Sequence, residues 1–391
     1  MKGLDIAIVG AGIGGLTAAI ALQRAGFRVS VHEQAPELGE VGAGLSLSPT
    51  AAHALRFLGI GAALDAESYL PEDQAVRHYL DGRALQWINR GRTLLEKYGE
   101  RYYLIHRADL HEALAAAVRA HDPQAIRLGQ RCVGVTQGGD QVQVAFEGGA
   151  TVTADAVIGA DGSRSQVRRA LFGDDGPKYT GYIAWRGIVP MERVPQRMLD
   201  PPSGIFVGPG HLVNRYPVRS GKLLNFVAFA EREAWEEEGW SIRSTVEELV
   251  REFEGWHPDV LGFLSAVPPE LLFKWGLFDR EPLKNWCLGR VGLLGDAAHP
   301  VLPFLGHGAV LAIEDATVLG RAFAESASVG EALARYQAAR IPRASFVVHE
   351  SRNAVKVFHS HEPEKYAQKT GGQAADERLG LFSYNPTTVP V

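Results

Sequence analysis

The first thirty-four residues leave this chain little choice of fold. The apolar run Ile6-Ala7-Ile8-Val9 ends in Gly10-Ala11-Gly12-Ile13-Gly14-Gly15, an apolar helical run follows, and a second β-branched run, Val29-Ser30-Val31-His32, ends at Glu33. Strand, glycine turn, helix and strand make one right-handed βαβ unit. Gly10 permits the tight turn, Gly12 lets backbone N–H groups approach a pyrophosphate, and Gly15 lets the helix lie close on the strand. The helix N-terminus presents unpaired N–H groups and its positive dipole end to that phosphate. Glu33 lies 23 residues after Gly10, where an acid accepts hydrogen bonds from a ribose diol. The segment reads as the seat of an ADP moiety; the identity of the dinucleotide stays open at this point.

Composition narrows the partners. A chain of 391 residues accommodates two intimately joined domains around a large core. The formal charge of −5, with no Lys/Arg block, argues against nucleic acid. Two cysteines, Cys132 and Cys287, make neither a disulfide framework nor a metal site, and no metal is expected. The N-terminal apolar run is too short and glycine-rich for a signal segment, and no stretch approaches the roughly 20 apolar residues that span a bilayer. A cytoplasmic protein without membrane attachment is expected.

Along the chain, a glycine-rich loop over residues 36–44 precedes a helix from Pro49 to Leu58. Gly42 and Gly44 serve either a positive φ or close passage of a flat ligand. Residues 68–100 read as a short strand excursion. A long helix follows Arg107, with Asp109 placed to cap it. Arg107 itself is either a surface ion pair or a phosphate contact. Alternating runs from Ala125 end in the apolar Ala156-Val157-Ile158-Gly159-Ala160-Asp161-Gly162, which points an acid at a strand's carboxyl end. Residues 178–278 read as an antiparallel sheet with one face covered, hence a second domain. The chain returns at Gly292-Leu293-Leu294-Gly295-Asp296-Ala297-Ala298-His299-Pro300, followed by the Pro303–Gly308 turn and a helix. A last helix near 329–347 carries Pro342 as a kink or break, and the tail from about Tyr366 is polar and loose by composition.

Four elements in this order resemble the single-component FAD-dependent aromatic hydroxylases of the para-hydroxybenzoate hydroxylase fold: Gly10-x-Gly12-x-x-Gly15 with Glu33, Arg107 before a helix, Asp161-Gly162, and Gly295-Asp296-Ala297-Ala298-His299-Pro300 with Gly306-x-Gly308. The resemblance runs from Ile6 to about Val347 and is nearest to salicylate hydroxylases and 3-hydroxybenzoate 6-hydroxylases. It implies an α/β fold in which a Rossmann-like FAD-binding domain (1–73, 98–177 and 279–365) holds an inserted antiparallel-sheet substrate domain (74–97 and 178–278), with C-terminal helices and a tail over 366–391. It implies FAD on Gly10, Gly12, Gly15, Glu33, Gln34, Arg107, Asp161, Asp296, Pro303, Gly308 and Ala309. NADH or NADPH acts as transient co-substrate, and O2 is added through a flavin C4a-hydroperoxide to a small phenolic or N-heteroaromatic acid. A homodimer is compatible with this reading. An FAD-dependent oxidase or dehydrogenase on the same scaffold is the alternative.

Two departures bear on catalysis. Many relatives carry Gln in the turn where this chain has His307. Related hydroxylases place a catalytic His four residues before a Tyr, whereas His211 stands five before Tyr216. Strand alternation puts those two on opposite faces unless a β-bulge intervenes. His211 and Tyr216 are the catalytic candidates, with Leu212 replacing His211 on the substrate face if the strand is regular. Arg186 and Arg215 are candidate partners for a substrate carboxylate or structural ion pairs.

Overall fold

The glycine turn sits at the centre of a six-stranded sheet in a computed structural model, which describes residues 1–39, 43–174, 176–235, 242–370 and 374–391. Across the sheet the strands are Cys287–Leu288, Val291–Leu293, Ala156–Gly159, Asp5–Val9, Arg28–His32 and Ile126–Arg127. All neighbours pair in parallel except the edge hairpin Cys287–Leu288 with Val291–Leu293. Parallel strands covered on both faces must be apolar throughout, and Ile6, Ala7, Ile8, Val157 and Ile158 are buried. Helix Ile13–Arg24 packs on helix Gly308–Glu325 at glycine distance, since a Cβ on Gly320 would lie 2.6 Å from that of Ala21. The strands Cys132–Gly138, Gln141–Phe146 and Thr151–Ala154 form a separate antiparallel meander. Gly42 lies outside the described residues.

The second large sheet has eight strands in the order Ile242–Arg243, Phe273–Asp279, Lys178–Pro190, Leu223–Glu231, His211–Val218, Gly204–Gly208, Asp73–His78 and Ala84–Asn89. Its excursion strands Asp73–His78 and Ala84–Asn89 join through a parallel pairing with Gly204–Gly208. Strand alternation divides the sheet into two apolar faces. One face, with Trp185, Phe206, Val213 and Phe226, packs under helices Val246–Glu252 and Pro258–Ser265 through Leu249, Phe253, Phe263 and Leu264. The other face, with Ala184, Val207, Leu212, Phe229 and Trp275, packs on Leu302 and Phe304.

Three local expectations are corrected. Helix Arg107–His121 is capped by His106, whose Nδ1 accepts from the Ala108 N–H at 3.3 Å, while Asp109 lies in the first turn and pairs with Arg219 at 2.9 Å. Helix Val329–Phe358 continues through Pro342 for 30 residues, so the proline does not break it. Burial of Arg340, Ala344, Val347, Val348 and Ser351 outweighs the one backbone bond the proline cannot make. The polar tail is held down as well. Leu381 and Phe382 are buried, Arg343 donates to the Leu381 carbonyl at 2.8 Å, and Arg321 donates to the Pro386 and Val389 carbonyls at 3.0 and 2.8 Å.

Candidate active site

Gly10, Gly12, Glu33, Gln34, Asp161 and Gly162 line one groove at the carboxyl end of the parallel sheet. The glycines do different work there. A Cβ on Gly10 would sit 2.4 Å from the Ala160 carbonyl oxygen and one on Gly15 2.0 Å from that of Gly10, whereas one on Gly12 would meet no protein atom within 4 Å. Gly12 therefore keeps groove space open, while Gly10 and Gly15 keep the fold closed. Helix Ile13–Arg24 starts with no side-chain cap and no acid in its first turn, which leaves its N–H groups available to an anion. Glu33 accepts from the Ala11 N–H at 2.8 Å and the Ala35 N–H at 2.9 Å, and a carboxylate so used retains acceptor capacity for a diol. Asp161 is more committed. It accepts from the Ser165 hydroxyl at 2.5 Å and the Gln166 N–H at 2.7 Å, so it anchors the start of helix Gln166–Phe172; burial raises its pKa against those bonds.

Asp296 follows strand Val291–Leu293 in the short turn Gly295–Ala297, exposed at the floor of a second groove. The charges of His299 and Arg107 act on its carboxyl, so Arg107 and Asp296 belong to one region. A buried clamp holds that turn. Asp315 accepts from the Gly295 N–H at 3.1 Å, from His299 Nε2 at 2.5 Å and from Arg340 Nε at 2.7 Å. Its neighbour Glu314 accepts from Thr50 at 2.8 Å and from Arg340 Nη2 at 2.8 Å. Both acids and Arg340 are fully buried, and pairing holds both carboxyls below their usual range despite burial. The apolar pattern of their helix hid this cluster. Adjacent acids inside an apolar helical run are the signal that finds it.

A further cavity lies between the turn Pro303–Leu305 and the face of the eight-stranded sheet that carries Leu212 and Phe229, lined by Pro303, Gly306, Asn214, Tyr216, Tyr102 and Arg90 among others. Helix Gly308–Glu325, which carries Gly308 and Ala309, begins beside that turn without a side-chain cap. Tyr216 is buried, and burial pushes its phenol well above the ordinary range. A Cβ on Gly44 would lie 2.4 Å from the Tyr216 ring, and the Gly44 N–H donates to Asn225 at 2.7 Å. Gly44 is thus glycine because the loop presses on Tyr216 and Asn225. His307 is buried against Phe382, its Nδ1 on the Leu305 carbonyl at 2.6 Å, and burial lowers its pKa. It does not line the cavity.

His211 is not brought to this site. Strand His211–Val218 pairs residue for residue with Leu223–Glu231, from His211 opposite Ala230 to Tyr216 opposite Asn225, with no bulge. Parity therefore turns His211, Val213 and Arg215 to the helix-covered face. There His211 Nε2 bonds Glu252 at 3.0 Å and its ring lies edge-on to Phe253 and Trp256. The expectation of a catalytic His211 is corrected. Leu212 takes the opposite face, inside the apolar cluster of Phe229 and Phe304. Sequence reasoning also missed Arg90, Tyr102, Asn214 and Asp376, which line the cavity.

The chain belongs to the FAD binding domain family, whose model matches residues 3–351. It is 36% identical over 380 residues to 3-amino-4-hydroxybenzoate 2-monooxygenase of Streptomyces platensis, covering 97% of this chain and 94% of that one. It is 35% identical over 362 residues to 3-hydroxybenzoate 6-hydroxylase of Klebsiella oxytoca, covering 92% and 89%. Its fold superposes on Klebsiella pneumoniae HpxO, solved with FAD and uric acid, with a TM-score of 0.87 at 28% identity over 97% of this chain and 95% of that one. These relatives define its class, the FAD-dependent monooxygenases. Among the described residues no helix is long and apolar enough to cross a membrane.

Proposed function

We propose that this chain hydroxylates the ring of a small phenolic or N-heteroaromatic carboxylic acid, using NAD(P)H and O2. The observation that carries the reading is the cavity between the Pro303–Gly306 turn and the polar tips of Asn214 and Tyr216, on the same molecule as a groove fitted to an ADP moiety. The division into an FAD-binding part (1–73, 98–177, 279–365) and a substrate part (74–97, 178–278) belongs to this proposal. Its unpaired cysteines and its need for NAD(P)H fit a cytoplasmic enzyme.

FAD, when bound, supplies two-electron chemistry with NAD(P)H and the activation of O2. The uncapped N-terminus of helix Ile13–Arg24, the open space at Gly12 and the remaining acceptor capacity of Glu33 fit its ADP end. Asp296 and Arg107 would hold its middle, and the N-terminus of Gly308–Glu325 would favour negative charge beside its ring. Tyr216 is protonated at neutral pH, as a phenol ordinarily is, and burial shifts its pKa further upward, so its hydroxyl donates to the substrate's ring oxygen and stabilises the phenolate, which makes the ring more nucleophilic. No imidazole lines the cavity among the described residues. Leu212, Phe229 and Phe304 exclude water from that wall.

The test is NADH and NADPH oxidation by the holoenzyme with and without 3-hydroxybenzoate, salicylate and 6-hydroxynicotinate, with product mass measured in parallel. Substrate-stimulated oxidation is expected, with a product one oxygen atom heavier where the attacked ring carbon carries hydrogen, or one in which hydroxyl has replaced the carboxylate with release of CO2 where that carbon carries the carboxylate. Flavin reduction by the aromatic alone, under anaerobic conditions and without nicotinamide, would instead establish an oxidase or dehydrogenase.

A further inference from the structure

Resting on that reading, we infer that Arg90 is the anchor for the substrate's carboxylate and that Asp376, on the C-terminal segment, is an internal carboxylate that occupies the anchor until substrate displaces it. Arg90 stands on the substrate-sheet side, just after strand Ala84–Asn89, and Asp376 belongs to the short helix Ala375–Arg378. Both line the cavity that holds Tyr216 and Pro303.

The geometry at Arg90 is that of a carboxylate receptor. Its Nη1 and Nη2 reach the two Asp376 oxygens at 3.1 and 2.7 Å, a fork-on-fork pairing, and its Nε donates to Gln74 at 2.9 Å. The guanidinium lies 4.8 Å from the Tyr102 ring centroid and 5.5 Å from that of Phe382, so aromatic rings fix its plane. A planar cation held this way binds a carboxylate bidentately and prefers it to a neutral amide. Arg90 and Asp376 are both nearly inaccessible, and together they leave the wall neutral. A benzoate or nicotinate carboxylate entering at Arg90 meets a cation already paired with Asp376. Exchange of one carboxylate for another keeps Arg90 paired throughout; the carboxylate left without it is that of Asp376, which still accepts from the Glu377 N–H at 2.9 Å.

Arg186 and Arg215 do not compete for this role. Arg186 stacks on Phe273 and Trp275, and Arg215 lies on the helix-covered face. Neither lines the cavity.

The experiment measures dissociation constants for 3-hydroxybenzoate and for 3-hydroxybenzamide by the change in flavin absorbance, using holoenzyme of the wild type, Arg90→Gln, Asp376→Asn and the double variant. The double variant removes both charges together and keeps the wall neutral, so it reports even if Arg90→Gln alone fails to fold. Arg90→Gln and the double variant are expected to weaken the acid roughly tenfold while the amide stays within about twofold. Asp376→Asn is expected to tighten the acid roughly fivefold, with the amide again unchanged. Equal losses for acid and amide on removing Arg90, or an acid affinity indifferent to Asp376→Asn, overturn the anchor and its occupant. In that event amide- or acid-stimulated NADH oxidation still stands as ring hydroxylation. Failure of both compounds to bind any of the four proteins overturns the anchor, while the hydroxylase reading stands or falls on NAD(P)H oxidation and product mass with the full panel.

Discussion

The reassignment of His211 makes a quantitative prediction for His211→Ala. The side chain is about three-quarters buried, bonds Glu252 at 3.0 Å and lies 5.4 Å from the Phe253 ring and 6.4 Å from that of Trp256. Edge-on aromatic packing contributes about 0.5–1.5 kcal/mol, and a charge-assisted hydrogen bond about 1.5–3 kcal/mol. The loss is partial, because Arg232 still pairs with Glu252 at 2.6 Å after the imidazole is gone. A net cost of about 2 kcal/mol follows. With unfolding entropy of about 2.1 cal/mol/K per residue, a chain of 391 residues unfolding as one unit loses about 2–3 °C in Tm. The cost depends on pH in a defined direction. Burial disfavours the charged ring, but the bonds to Glu252 and to the Pro209 carbonyl outweigh it and raise the pKa above 6.5. The ionic part of the stability is therefore complete below the unfolded value and fades as pH rises through the folded value, so the Tm gap narrows from pH 6 to pH 9. Calorimetry across that range, paired with the ratio of NADH consumed to product formed, is the assay. A variant with wild-type stability that wastes NADH as H2O2 would refute the argument from strand parity.

Further outcomes test the rest of the site. Gly12→Val should abolish FAD retention while the apoprotein keeps its Tm, whereas Gly15→Ala should lower apoprotein Tm, because only the second Cβ strikes backbone; measured FAD content and calorimetry separate the two. Asp296→Ala should release FAD, and purification with one FAD per chain would sink its assignment to the cofactor's middle. Asp315→Asn should cost about 1.5–3 kcal/mol by removing the charge from its bonds to His299 and Arg340, while Arg340 stays paired with Glu314, seen as a lower urea midpoint. Asp315's folded pKa is depressed below 3.8, so its contribution is present above that value and lost as pH falls through the folded value; the gap from wild type should close under acid. Tyr216→Phe should leave FAD bound and lower the hydroxylation rate most for substrates with the least acidic phenols, measured as product formation across a ring-substituted series.

Local constraints were legible in the sequence and long-range ones were not. The βαβ unit could be read because its strand, turn and helix follow one another in sequence and Gly15 presses on Gly10 five residues away, although Gly10 itself presses on the distant Ala160. The strands of the second sheet were visible as alternating runs for the same reason. The side chain to which a pocket residue pairs is another matter. Arg90 and Asp376 are 286 positions apart, and neither belongs to a motif that would mark it. The tail misled because its composition is polar, yet it needs only Leu381, Phe382 and a few arginine-to-carbonyl bonds to be held. At Pro342 a local rule was overridden by tertiary burial along the whole helix.

Strand His211–Val218 concentrates the lesson in eight residues. Its odd positions face helices, and there Arg215 is fully buried, donating to the Met198 carbonyl at 3.3 Å and the Pro201 carbonyl at 3.0 Å, over the Phe206 ring. Burial pushes its pKa down to about 9, so it remains charged at neutral pH as a structural cation. The even positions, Leu212, Asn214 and Tyr216, face the turn Pro303–Leu305 and the cavity beside it, and all are uncharged. Both basic side chains of the strand thus support the fold from behind, and the cavity in front receives only neutral polar tips from it. Charge recognition must come from another strand's end, where Arg90 stands. A register slip of one residue would exchange these sets and place His211 and Arg215 in the cavity. The chemistry available to this enzyme is therefore fixed by the unbroken pairing of His211–Val218 with Leu223–Glu231 as much as by which residues the strand contains.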